Sequence, residues 1–355
     1  MQKDYHLSKN SISILKGIAM IFLVFHNFLI FQPNSKFYNE EKFNSDNIRQ
    51  FLDNLWPVRW YESFSAIMIF LGHYGVQIFI FCTAYGLTQL YKNENFGTYY
   101  NSLKSRLLKL LILLGLGIFV YIICYSAETG RLYSVETFAR NTILLLSTAG
   151  NFSKNLLYTM FSGPFWYFGL TIQLLFILPF LYKVLIKRGI LLSLLFSYSI
   201  IYPLYYIDLN SSFSIFGNIL GHLPEVFVGI YLATHGVDKI KWAISIIALC
   251  VYILSQMFTY VFPLSFVSIL VLMLFFYQKT LKLMPELLKQ NLLYIGTISM
   301  ILFILNGYFR FLSFFNVEDS IIRAERIFLY FITLIITSHL LHKVYIYLLK
   351  KLKLN

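Results

Sequence analysis

The chain has 355 residues, of which 58% are hydrophobic, 19% aromatic and only 13% charged. Soluble domains run at roughly 45–50% apolar and about 25% charged, so an ordinary cytosolic enzyme, a disordered tail and a disulfide scaffold are excluded. The net charge of +13 would suggest nucleic acid in a soluble protein; in a chain this apolar it reads first as a topology signal at a membrane, and no nucleic-acid partner is expected.

A membrane-spanning helix needs about 20 mostly apolar residues. Ten stretches meet or approach that, at about 12–31, 63–91, 107–125, 164–183, 189–208, 215–234, 242–260, 262–277, 292–312 and 325–347. The first reads as a span and not a cleaved leader, because it is too long and no small-x-small site closes it. A long loop, about 32–62, follows it. A second, about 126–163, holds a stretch from Glu136 to Thr148 that reads as a short interfacial helix. The eighth stretch is short and begins close to Pro263. Every other connection is short, and neither repeat nor low-complexity tract is visible. The expectation is one membrane domain, 1–355, whose chemistry must come from spans and loop edges. Cys82, Cys124 and Cys250 all lie in apolar runs without metal-ligand spacing, so neither disulfides nor a metal are expected.

Ten spans put both termini on one side. With the termini inside, the inner segments hold 19 of the 29 lysines and arginines, and of the acidic residues only Asp4, Glu94, Asp238 and Glu286. That bias follows the positive-inside rule. The predicted architecture is all-α: a polytopic membrane bundle of about ten transmembrane helices with cytoplasmic termini.

Ionisable groups inside spans are expensive and are candidates for function. They are Lys16, His26, His73, His222, Glu225 and Arg310. Each also has a plainer reading. Lys16 can snorkel to the inner interface, and Arg310, four residues after Asn306, to the outer one. His26 lies ten residues, or about 15 Å, along the helix from Lys16; it is either a general base near neutral pH or a hydrogen-bonded packing residue. His222 and Glu225 fall on one helical face, with Pro224 interrupting the ladder, as a helix-joining pair or as site residues. His73 reads as core packing. Lys104, Arg106 and Lys109 cluster at the inner edge of the third span, suited to a phosphate-rich ligand or simply to topology.

These residues stand inside strings that resemble the integral-membrane acyltransferase 3 family, which O-acylates carbohydrates. Leu15-Lys16-Gly17-Ile18-Ala19, running on to Phe25-His26-Asn27, is similar to the family's Arg-Gly-Ile-Ala…His opening. Gly75-Val76-Gln77-Ile78-Phe79-Ile80-Phe81-Cys82-Thr83-Ala84-Tyr85 resembles its Gly-Val-x-x-Phe-Phe…Ser-Gly-Phe, and the basic run of Lys104, Arg106 and Lys109 follows it. Trp166-Tyr167-Phe168 with Gln173, Phe176 and Pro179, then His222-Leu223-Pro224-Glu225 with Gly229, then Gly296…Ser299…Phe303…Asn306 continue the likeness in order. The resemblance covers about residues 11–310. Departures are visible: Lys16 replaces Arg, His222 replaces Arg, Thr83-Ala84 replaces Ser-Gly, and Asn306 replaces a late His. His26 comes ten steps after Lys16 where the family has eleven, so Asn27 occupies the aligned position, about 100° further round the helix.

The resemblance implies a cytoplasmic acyl-CoA donor, usually acetyl-CoA, and a carbohydrate acceptor, either a surface polysaccharide or a lipid-linked glycan. It implies His26 as the group that accepts the hydroxyl proton or relays the acyl group, with Glu225 orienting it or holding the acceptor. Lys16, Arg106 and Lys109 are expected at the donor phosphates. Asn27, Trp166, His222, Asn306 and Arg310 are expected around the substrates. The expected location is a cell membrane, that of a bacterium. A glycan transporter or polymerase is the alternative; it requires neither the inner basic cluster nor the Lys16–His26 pair.

Overall fold

The computed structural model describes residues 6–32, 42–56, 60–93, 96–157, 161, 165–310, 312–315 and 320–354. Lys3, Asp4 and Glu94 of the inner-edge count, and parts of the first long loop, lie outside them. The helices are α1 (Lys9–Ile30), α2 (Asp46–Leu55), α3 (Trp60–Leu71), α4 (Gly75–Asn93), α5 (Phe96–Thr129), α6 (Val135–Leu146), α7 (Lys154–Leu157), α8 (Trp166–Asn210), α9 (Leu223–His235), α10 (Trp242–Met257), α11 (Ser265–Thr280), α12 (Glu286–Thr297), α13 (Ser299–Phe309) and α14 (Ser320–Lys351). Among the described residues the one pairing of extended backbone is an isolated bridge between Ser153 and Phe213. The short helix expected in the second long loop is α6, capped by the Ser134 hydroxyl at the Thr137 amide.

Among the described residues, six helical segments are long and apolar enough to cross a membrane: Lys9–Ile30, Trp60–Lys92, Gly97–Thr129, Trp166–Asn210, Phe262–Thr280 and Glu325–Lys351. Counting α12 and α13 as one interrupted segment makes seven, where hydropathy alone suggested ten. The difference has local causes. The fourth and fifth stretches merge into the 45 residues of α8, about 67 Å of helix against a hydrocarbon core of about 30 Å. Gly189, at φ 75° and ψ 172°, breaks that length near its middle. The sixth stretch opens as irregular chain and a 3₁₀ turn, Ile219–His222, leaving only 13 residues in α9. The seventh yields the 16 residues of α10, and the ninth is interrupted at Ile298.

The chain packs as two compact units. The first comprises Met1–Gln89, Tyr182–Tyr202 and Leu223–Ser299. Its centre is α1, which packs on α12, on α3 and on the 3₁₀ turn Gly72–Tyr74. Glycines make the α1–α12 contact a backbone-to-backbone one. A Cβ at Gly296 would lie 1.7 Å from the Ser13 carbonyl oxygen, and one at Gly17 would lie 2.1 Å from that of Leu292. In lipid, where hydrophobic burial does not drive helices together, such close approach is how they associate. Hydrogen bonds tie down the start of α1: the Tyr277 hydroxyl donates to the Ser11 carbonyl at 3.0 Å, and the Leu7 amide to the Tyr85 hydroxyl at 2.9 Å.

The second unit comprises Leu90–Leu181, Pro203–His222 and Met300–Asn355. Here α14 packs on α5, and the Tyr345 hydroxyl donates to the Lys109 carbonyl at 3.3 Å. Gly117 of α5 sits against Ile304 of α13, with room for no Cβ at 2.6 Å. Asn151 pins the loops, its amide donating to the carbonyls of Trp166 and Gly217 at 2.7 and 2.6 Å.

Candidate active site

In the first unit α1 carries His26 against the end of α3. The ring is 1% exposed. Its Nδ1 lies 3.1 Å from the Ile69 carbonyl oxygen and 3.3 Å from that of Met68. A carbonyl can only accept, so Nδ1 carries the proton and Nε2 of the neutral ring holds the basic lone pair. The 3₁₀ turn then brings His73 beside it, with ring centroids 5.5 Å apart. Gly72 makes this approach possible, since a Cβ there would stand 2.5 Å from the His26 Cβ. Asn27, the position aligned with the family's histidine, is only half-buried. The departure in spacing thus leaves His26 as the inward-facing residue. Lys16 is half-buried about 15 Å back along α1.

Glu225 belongs to the first turn of α9 and is fully buried. The packing of α9 on α4 fixes its level. Gly229 abuts Ala84 and Phe81, and one turn on, the Ala233 carbonyl accepts from the Gln89 amide at 2.8 Å. The two helices therefore run parallel here. Glu225, one turn before Gly229 on the same face, lies at the level of Gln77 to Phe81 of α4.

In the second unit His222 ends the 3₁₀ turn, with Nε2 donating to the Phe216 carbonyl at 2.8 Å. The Trp166 ring lies nearly parallel to it at 6.3 Å. The Gln173 side chain accepts from the Ile219 amide at 2.9 Å and closes that turn. This corrects the expectation of His222 and Glu225 on one continuous helix. Pro224 does not interrupt a ladder: it is the second residue of α9, where its missing N–H would have had no helical partner anyway.

Arg310, one residue past α13, is 5% exposed, which favours the site reading over outward snorkelling. Beyond it the Tyr330 hydroxyl donates to the Asn306 side-chain oxygen at 2.7 Å. Arg106 donates from Nε to the Ser102 hydroxyl at 3.2 Å, and its guanidinium stands 5.9 Å from the centre of the Tyr99 ring. Lys109 is half-buried and Lys104 exposed.

The chain's sequence understated two residues. His73 reads as packing and Gln77 only as a letter in a resembling string, yet both are buried. Their four-residue spacing in an apolar stretch was the available signal, since it sets two polar side chains on one helical face.

The chain matches a family model described as an acyltransferase domain over residues 9–342. No curated protein and no solved structure matches it. A match over nearly the whole length, on a membrane chain whose family-like residues include the buried His26 and Glu225, gives the conclusion that this protein belongs to the acyltransferase 3 family of integral-membrane acyltransferases.

Proposed function

We propose that the protein moves an acyl group, acetyl in the simplest case, from a cytoplasmic acyl-CoA to a hydroxyl of a carbohydrate. The acceptor is a surface polysaccharide or a lipid-linked glycan, and the setting is a bacterial plasma membrane with both chain termini cytoplasmic. The observation that carries the reading is the clamp on His26. Two backbone carbonyls hold the proton on Nδ1, which leaves Nε2 to act as a base. Nε2 takes the proton from the acceptor hydroxyl as its oxygen bonds to the thioester carbonyl carbon. The carbon–sulfur bond then breaks, and the proton passes from Nε2 to the leaving thiolate. A group in this role contributes about 10²–10⁴-fold to rate.

Glu225 is the residue we assign to holding the acceptor or orienting the base. Lys16, Arg106 and Lys109 supply the positive charge that suits coenzyme phosphates. Trp166, stacked with His222, has the flat face that sugar rings favour, and Asn27, Asn306 and Arg310 complete the substrate-binding set. Nothing in the fold specifically favours the transporter or polymerase alternative.

The test uses the purified chain in nanodiscs with acetyl-CoA and a crude envelope glycan, following thiol release. Wild type is expected to release thiol only when glycan is present, and the His26→Ala variant to do so at least 100-fold more slowly. Glycan-independent release of equal size in both proteins contradicts the proposal.

A further inference from the structure

His73, in the 3₁₀ turn, and Gln77, in the first turn of α4, lie four residues apart in the apolar segment Trp60–Lys92, and both are buried. Among the described residues, neither ring nitrogen of His73 and neither polar atom of the Gln77 amide has a hydrogen-bond partner. Four unmet polar atoms on two buried residues four positions apart are unusual, because buried polar groups are nearly always paired. The His73 ring stands beside those of Tyr74, at 3.8 Å, and His26, at 5.5 Å between centroids. Tyr74 is itself spoken for, its hydroxyl accepting from the Gln256 amide at 3.3 Å.

We infer that His73 and Gln77 form a hydroxyl-reading subsite beside His26, and that its ligand is a neutral polyol of the sugar-ring kind. The chemistry of the unmet atoms selects that class. A neutral imidazole offers one donor and one acceptor, and a carboxamide offers both as well. The complement must therefore donate and accept at each residue. Hydroxyl groups do so; a phosphate dianion or a thioester carbonyl only accepts, and an acyl chain does neither. The two imidazoles are near enough for one ligand to reach both, their ring centroids standing 5.5 Å apart. Resting on the acyl-transfer reading of His26, this gives His73 and Gln77 the task of holding the acceptor so that one of its hydroxyls meets His26 Nε2.

The experiment uses the full chain in nanodiscs, as wild type, Gln77→Met and His73→Phe, with methyl α-D-glucopyranoside as the polyol probe. Thermal midpoints are read in buffer, with the glucoside, with inorganic phosphate at matched ionic strength, and with acetyl-CoA. Because each substitution removes an unpaired buried polar group, both variants are expected to melt no lower than wild type in buffer. The glucoside is expected to raise the wild-type midpoint saturably by about 3 °C, phosphate to leave it unchanged, and both variants to lose the glucoside shift. An equal glucoside shift in all three proteins, no shift in wild type, a phosphate shift lost in the variants, or a lowered midpoint of both variants in buffer overturns the inference. The acetyl-CoA arm separates the two readings: if acetyl-CoA stabilises none of the proteins, the donor assignment fails while the glucoside arm still decides the subsite.

Discussion

Replacing Gly72 by alanine puts a methyl carbon 2.5 Å from the His26 Cβ and 2.7 Å from the Phe22 carbonyl oxygen. Carbon atoms rest about 3.5–4.0 Å apart, so one side must yield by about 1 Å. The helix α1 has nowhere to go, since Gly17 and Gly296 already press its backbone onto α12 without space for a single added carbon. The 3₁₀ turn must lift instead, and the Ile69 carbonyl that holds His26 Nδ1 lies three residues before Gly72, in the last turn of α3. Overpacking of this size costs about 1–3 kcal/mol, and a displacement of about 1 Å at a reacting group lowers a rate by about 10²-fold. Thiol release per mass of membrane protein measures the effect. Gly86 is the control: it lies in the same apolar segment with open space around its missing Cβ, so Gly86→Ala should leave the rate within about twofold, since surface-like changes stay within about 0.5 kcal/mol. Gly72→Ala protein made in normal amount, with the wild-type rate, would refute the claim that this turn positions His26.

At the α1–α12 contact, Gly296→Ala drives a carbon to 1.7 Å from the Ser13 oxygen; we expect a midpoint lowered by at least about 5 °C or loss of folded protein from the membrane, read by detergent-solubilised melting. Tyr330→Phe strips the hydroxyl that Asn306 accepts from, leaving a buried acceptor unmet at about 1–3 kcal/mol; the midpoint should fall by a few degrees, and an unchanged one argues against that bond. Moving the imidazole one place, as His26→Ala with Asn27→His, should not restore acyl transfer, because position 27 turns about 100° away from the α3 carbonyls; recovered activity shows that the clamp is dispensable.

Much of the architecture follows from the apolar runs, and the first span shows why. Residues 12–31 contain no proline and no acidic group, and α1 occupies nearly that range, starting at the Ser8 cap. What hydropathy could not locate are the interruptions. Gly189 takes φ 75°, a conformation open to glycine, but nothing in an apolar window marks where the ladder fails. The turn Ile219–His222 is similarly silent, because it depends on a side chain 46 residues earlier, Gln173, accepting from the Ile219 amide. At the site, His26 and Glu225 were visible as costly groups in lipid. His73 was on the same list but read as packing, and Gln77 was not singled out, because their significance lies in having no partner, and unpaired atoms cannot be counted before the neighbours are known.

The most direct measurement is NMR of the carbohydrate from cells carrying wild-type protein or His26→Ala, with equal amounts of each confirmed in the membrane. The account predicts O-acyl signals in the wild-type glycan and their loss from the variant. Full acylation in cells relying on His26→Ala would contradict it.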